Sequence, residues 1–122
     1  EIDRFNILEA TVLAMRRAIQ KLSAPCDGIL VDGRPLKNLG SPHLAIVKGD
    51  SLSPSIAAAS ILAKETRDRI MEALDQSFPG YGFANHKGYG TAVHTEALRL
   101  LGPCAVHRRS FAPIRQATLP GF

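Results

Sequence analysis

Ile29-Leu30-Val31-Asp32-Gly33 and Leu44-Ala45-Ile46-Val47-Lys48-Gly49-Asp50 are the two stretches that decide the fold. Each opens as a short apolar run rich in branched side chains, the pattern of a strand buried on both faces. Gly33 and Pro35 end the first run, and Lys48-Gly49-Asp50 ends the second. Ser53-Pro54 then makes a helix start, with Ser as the cap and Pro at the first helical position. The helix is expected to run to about Ser77. Its first half, Ile56 to Ala63, is small and apolar nearly all round, as suits a helix packed closely on a sheet; Lys64 to Gln76 is amphipathic and expected to be solvated. Two short strands do not make an independent sheet, and parallel sheets carry helices on both faces. The chain therefore reads as the later part of an α/β domain.

Outward from this centre, Ile2, Phe5, Leu8, Val12, Met15 and Ile19 recur at helical spacing, so residues 2–22 are expected to form one helix. Ser23-Ala24-Pro25 and Asp27-Gly28 stop it. Downstream, Pro79-Gly80-Tyr81-Gly82 reads as a turn and Asn85 to Gly90 as a glycine-rich loop. Thr91 to Leu101 reads as a short helix capped by Thr91 and stopped by Gly102-Pro103. Turn-prone residues after Ala112 place residues 112–122 outside the core as a flexible tail, leaving residues 1–111 as the domain portion.

The 122 residues are enough for one compact domain. With 45% hydrophobic and 21% charged residues, the composition is globular and excludes a disordered or fibrous chain. No apolar run approaches the roughly 20 residues of a membrane span. Lys and Arg number 15 against 11 Asp and Glu, a net charge of +4 that permits a polyanionic partner. The chain begins Glu1-Ile2-Asp3, which lacks a secretory leader pattern and suggests a processed chain or a fragment. Cys26 and Cys104 are expected as free thiols in a reducing compartment, and without a C-x-x-C pair a structural zinc is not expected.

Asp32 and Asp50 follow the two strands. If the strands are parallel neighbours, both carboxylates emerge at the carboxyl edge of the sheet, where open α/β sheets place ligands. Two acidic groups at one edge repel unless a cation or proton offsets them, and Mg²⁺ accepts such oxygens. Asp32-Gly33 and Gly49-Asp50 are equally suited to turns for backbone reasons alone. Lys48 and Lys64 could neutralise phosphate or pair with carboxylates. In His86-Lys87-Gly88-Tyr89-Gly90, an exposed Tyr89 beside Lys87 could stack on a base or sugar while the lysine holds a phosphate; a tyrosine plugging the loop onto the core is the alternative. His107-Arg108-Arg109-Ser110-Phe111 is a second basic cluster, read either as phosphate contacts through Arg108 and Arg109 or as a solvated face with Phe111 anchored inside.

Together these segments resemble a known family. Val31-Asp32-Gly33, Val47-Lys48-Gly49-Asp50, Ser55 to Lys64 with Thr66-Arg67-Asp68, Tyr81-Gly82-Phe83 with His86 to Thr91, and His107 to Pro113 are similar to ribonuclease HII, the type 2 ribonuclease H. The resemblance implies a ribonuclease H-like α/β fold, here incomplete: two parallel strands with covering helices, the first three strands absent. It implies a cytoplasmic, monomeric endonuclease of ribonucleotide excision repair that cleaves the RNA strand of RNA–DNA hybrids and incises at single ribonucleotides in duplex DNA. Products would carry 5′-phosphate and 3′-hydroxyl ends. The family uses four acidic residues with Mg²⁺ or Mn²⁺; Asp32 is similar to the third and Asp50 to the fourth. Tyr89 resembles a tyrosine that stacks on the deoxyribose after the ribonucleotide. The early Asp-Glu-x-Gly-Arg-Gly segment that holds the first two acids has no counterpart here, so the chain is expected to be roughly the last two-thirds of such an enzyme and inactive alone. Gln116, Leu119 and Phe122 resemble a sliding-clamp-binding peptide without its final aromatic. Two other readings are a non-catalytic nucleic-acid-binding fragment and a clamp-binding accessory module.

Overall fold

The structure is a computed structural model that describes residues 1–112 and 114. The chain divides into two compact units, one from Glu1 to Leu62 and one from Ala63 onward.

The first unit opens with α1 (Ile2–Phe5) and α2 (Ile7–Gln20) where one helix was expected. The break lies at Asn6, whose φ of 80° cannot continue a helix. Its side-chain Oδ1 instead accepts the N–H groups of Leu8 at 2.9 Å and Glu9 at 3.1 Å, capping α2. Strand β1 (Leu30–Asp32) pairs in parallel with β2 (Leu44–Ile46), with Leu30 opposite Leu44, Val31 opposite Ala45 and Asp32 opposite Ile46. Gly33 N–H donates to the Ile46 carbonyl and Leu44 N–H to the Ile29 carbonyl, both at 2.9 Å, extending the ladder at each end. Lys48 then adopts a left-handed turn (φ 57°) into a single helical turn, α3 (Gly49–Leu52), which packs on both strands.

The strands are not buried on both faces: Val31 is buried, but Leu30 and Leu44 are 45% and 61% exposed. Helix α4 (Pro54–Ser77) has the expected bounds, but its small apolar first half does not cover the sheet closely. Ile56 is buried, whereas Ile61 and Leu62 are 62% and 69% exposed. A strand of three residues is only about 10 Å long, so two of them offer too little surface to bury several turns of helix. The buried apolar residues of this unit are Val12, Val31, Leu39 and Ile56.

The second unit carries the rest of α4, then α5 (Phe83–His86) and α6 (Ala92–Leu101). α5 takes in the beginning of the expected Asn85–Gly90 loop and ends where Lys87 turns left-handed (φ 50°). Thr91 caps α6 as expected, its hydroxyl accepting from His94 N–H at 3.2 Å, and Gly102 (φ 70°) stops it. The core is Tyr81, Phe83, Ala97, Leu98 and Ile114, with Met71, Leu74, Phe78 and Cys104 packed against it. The Tyr81 and Phe83 rings stack 5.2 Å apart. Ile114, only 4% exposed, belongs to this core although it lies beyond the boundary expected at Ala112. Phe111, expected to anchor its segment inside, is 56% exposed. Gln116, Leu119 and Phe122 lie outside the described residues. Cys26 and Cys104 are free thiols. No helix among the described residues is long and apolar enough to cross a membrane.

Candidate functional site

In the first unit, Asp32 is the last residue of β1, and its Oδ1 accepts the N–H of Gly49 at 2.7 Å. This bond fixes the carboxylate at the carboxyl ends of the paired strands, against the residue that precedes Asp50. Gly49 is buried, and a Cβ there would lie 2.6 Å from Ile56 Cδ1 and 3.4 Å from Asp32 Oδ1. The missing side chain is what lets the backbone approach both. Asp50 sits in the first turn of α3, exposed, with the Ser51 hydroxyl 3.4 Å from its Oδ1. Lys48, also exposed, enters the same turn.

Carboxylate oxygens are the donors that Mg²⁺ and Mn²⁺ take. The Gly49 N–H orients Asp32 as an outer hydrogen bond orients a metal-ligating carboxylate, and Oδ2 makes no bond to that amide. The donor chemistry therefore fits a hard divalent cation. It fits as part of a set, because the described residues contain no group of three or more His, Cys, Asp or Glu side chains placed to hold an ion.

In the second unit, Tyr89 stands on the loop between α5 and α6 with 64% of its surface exposed, so it does not plug the loop onto the core. The Arg67 guanidinium lies 4.5 Å from its ring centroid, a cation–π contact, and also donates to the Lys87 carbonyl at 2.6 Å. Two of the candidate phosphate-binding lysines are already paired. Lys64 Nζ lies 3.0 Å from Asp68, and Lys87 Nζ lies 2.6 Å from Glu72 with its side chain only 18% exposed. The Lys64 ammonium holds the Asp68 carboxyl below the usual carboxylate range. Arg108 and Arg109 are exposed, and Arg108 lines a cavity of about 420 Å³ together with Arg67, Tyr89, His94 and His107.

Three histidines form a network that the sequence reading did not single out. The Cys104 N–H donates to His107 Nδ1 at 3.0 Å, so that nitrogen carries no proton in the neutral ring and Nε2 carries it. His107 Nε2 lies 3.2 Å from His94 Nε2, which accepts, and His94 Nδ1–H then donates to the Tyr89 carbonyl at 3.0 Å. His86 stacks on His94 at 4.4 Å, accepts from Gly88 N–H at Nδ1 (3.1 Å) and donates from Nε2 to the Tyr81 carbonyl (2.7 Å). All three rings are satisfied in the neutral form. Burial lowers the pKa of His94 and of His107, reinforced in each case by a neighbouring imidazole. Burial, with the Cys104 thiol nearby, raises that of Tyr81, whose hydroxyl donates to the Gly102 carbonyl at 2.6 Å. The one local signal was Thr91 followed three residues later by His94, a capped helix start with an imidazole on its first turn.

The first unit is thus an α/β segment with two carboxylates following a pair of parallel strands. The sequence comparisons narrow this class. The family model described as Ribonuclease HII matches residues 1–114. A Ribonuclease HII from Anaeromyxobacter sp. (strain Fw109-5) is 56% identical over 117 residues, covering 96% of this chain and 37% of that relative. The chain belongs to the ribonuclease HII family. It spans 37% of the relative's length, in place of the two-thirds expected.

Proposed function

We propose that this chain contributes Asp32 and Asp50 to the metal centre of an endonuclease. The enzyme would hydrolyse the RNA strand of RNA–DNA hybrids and incise at single ribonucleotides in duplex DNA, leaving 5′-phosphate and 3′-hydroxyl ends. The observation that carries the reading is the Asp32–Gly49 bond, which ties one carboxylate to the turn bearing the other, in a chain of the ribonuclease HII family.

Asp32, oriented by the Gly49 N–H, and Asp50, on the first turn of α3, would hold the cation. When bound, Mg²⁺ or Mn²⁺ supplies Lewis-acid polarisation of the phosphodiester and activation of a water. Tyr89 presents an exposed ring to a sugar, backed by Arg67. Lys48, Arg108 and Arg109 offer exposed cations to the phosphates; Lys64 and Lys87 join them by exchanging a carboxylate partner for a phosphate.

The test is Asp50→Asn in the protein encoded by the complete reading frame. Hybrid cleavage is expected to fall at least about a hundredfold, since several kcal/mol of charge stabilisation go with a metal ligand, while hybrid binding persists. Undiminished turnover would remove Asp50 from the centre. For the 122-residue chain by itself a second reading is that it binds nucleic acid without cleaving it, since the described residues bring no group of three or more possible metal ligands together. Hydrolysis of a hybrid by the purified chain, free of longer enzyme, would overturn that.

A further inference from the structure

The backbone around Tyr89 is gripped from several directions. Arg67 holds the Lys87 carbonyl, His86 Nδ1 holds the Gly88 N–H, and His94 Nδ1–H holds the Tyr89 carbonyl. The last grip runs to a carbonyl, which only accepts, so it requires Nδ1–H on His94, and the groups behind His94 favour that tautomer. A neutral imidazole has one proton and two possible places for it. His94 donates at Nδ1 only if Nε2 is free of its proton, and Nε2 is kept free because His107 donates to it. His107 donates from Nε2 in turn because its Nδ1 is occupied by the Cys104 N–H. A backbone amide, which never changes its role, thereby sets the tautomers of two side chains and ends at the carbonyl of the exposed tyrosine.

We infer that His94, with its tautomer set through His107 by the Cys104 amide, is a positioning residue that fixes how Tyr89 is presented to a nucleic-acid sugar. The inference rests on the reading of Tyr89 as a sugar-stacking residue. His94 itself is buried at 7% exposure, so its action is through the tyrosine backbone rather than by touching the substrate. Arg67 complements it by covering a face of the ring, while 64% of the residue stays open to a partner. This arrangement limits the rotation that an exposed loop tyrosine would otherwise have, so less freedom is lost when a sugar stacks.

Three substitutions test this in the protein of the complete reading frame. Each is assayed for its preference for a duplex with one embedded ribonucleotide over one uninterrupted by a junction, with KM and kcat measured separately. His94→Leu removes the donor. His94→Asn restores one, because the asparagine Nδ2 falls near the place of Nδ1. His107→Asn leaves His94 in place but shortens the side chain, so that its Nε2 partner is gone. The inference predicts that His94→Leu and His107→Asn both lower the junction preference about tenfold, the worth of one hydrogen bond at the upper end of its net range, through KM more than kcat. It predicts that His94→Asn regains most of it.

Tyr89→Ala separates the possible failures. Loss of preference in Tyr89→Ala with none in His94→Leu or His107→Asn overturns the inference and leaves the tyrosine reading standing. No loss in Tyr89→Ala overturns the tyrosine reading and the inference with it. If His94→Leu does not fold, His107→Asn carries the test alone. Nitrogen-15 NMR of the imidazoles supplies a readout independent of substrate: Nδ1–H on His94 and Nε2–H on His107 are required, and the opposite tautomer on His94 refutes the inference.

Discussion

Asp32 is held by one N–H bond at the end of a three-residue strand, whereas the loop carrying Tyr89 is held by an arginine and two histidines above an aromatic core. The difference extends to the surroundings. The unit with the carboxylates buries Val12, Val31, Leu39 and Ile56 and leaves Leu30, Leu44, Val47, Ile61 and Leu62 exposed. The unit with the tyrosine packs Tyr81, Phe83, Ala97, Leu98 and Ile114 into one cluster. The proposed metal centre would rest in the first on backbone proximity, while the proposed recognition loop in the second rests on side-chain packing and a chain of hydrogen bonds. The first unit's apolar surface is unmatched by its own core, so its stability within this chain is expected to be the lower of the two.

The largest expected effect follows directly. Phe83 is 2% exposed and touches Tyr81, His86, His94 and His107 through its ring. Phe83→Ala should cost about 3–5 kcal/mol, the usual range for emptying an aromatic core site. Ile56→Ala should cost about 2 kcal/mol, the lower end for a buried aliphatic, because its open neighbourhood can relax. Hydrogen exchange of amides in α6 and in β1–β2 reads the two units separately. A greater loss of protection from Ile56→Ala than from Phe83→Ala would reverse the ranking.

A smaller effect sharpens the role of the single bond on Asp32. Asp32→Ala removes the acceptor of the Gly49 N–H and should cost about 1 kcal/mol, because water can replace part of the bond at this partly buried site. Asp32→Asn keeps an oxygen in that position and should leave thermal stability near the parent. If the carboxylate holds a cation, both substitutions should abolish cleavage in the protein of the complete reading frame. A stable, inactive Asn variant separates the structural bond from the charge; an active one leaves Asp32 only its bond to the backbone.

Much of this architecture was legible because local signals and tertiary outcome agree. Branched runs gave β1 and β2, Ser53-Pro54 gave the start of α4, and Thr91 and Gly102 gave both ends of α6. The break before α2 was legible as well, since Asn6 with Glu9 three residues later is a helix-start pattern, but the apolar periodicity through Phe5 and Leu8 outweighed it. The exposed first half of α4 was not legible, because an apolar pattern states what a segment could bury and not whether a surface is there to receive it. The histidine network was hidden for another reason. His86, His94 and His107 belong to three separate segments, and their relation rests on tautomers set by backbone groups. No spacing rule encodes that.

The smallest effect concerns pH and distinguishes the units by their chemistry. His94 and His107 have folded pKa values below the ordinary 6.5, so below that pH the unfolded chain binds more protons than the folded one. Their contribution is complete above about pH 6.5 and is lost as pH falls toward the folded values. Burial opposes a new charge on both rings, and so does a neighbouring imidazole, His86 for His94 and His94 for His107; the Cys104 thiol, 3.1 Å from His107 Nδ1, and the Tyr81 ring, 5.1 Å from that of His107, are the other groups facing them. Protonated His94 would also turn an Nε2–H toward the Nε2–H of His107. As the pH falls below 6.5, α6 should therefore lose exchange protection, and the slope should flatten in His94→Asn. The Asp68 and Glu96 carboxyls, lowered by Lys64 and Arg99, act only at more acidic pH, below their ordinary values of 3.8 and 4.5. A wild-type slope that His94→Asn leaves unchanged would place the titration elsewhere and remove the pH signature from the histidine-bearing unit.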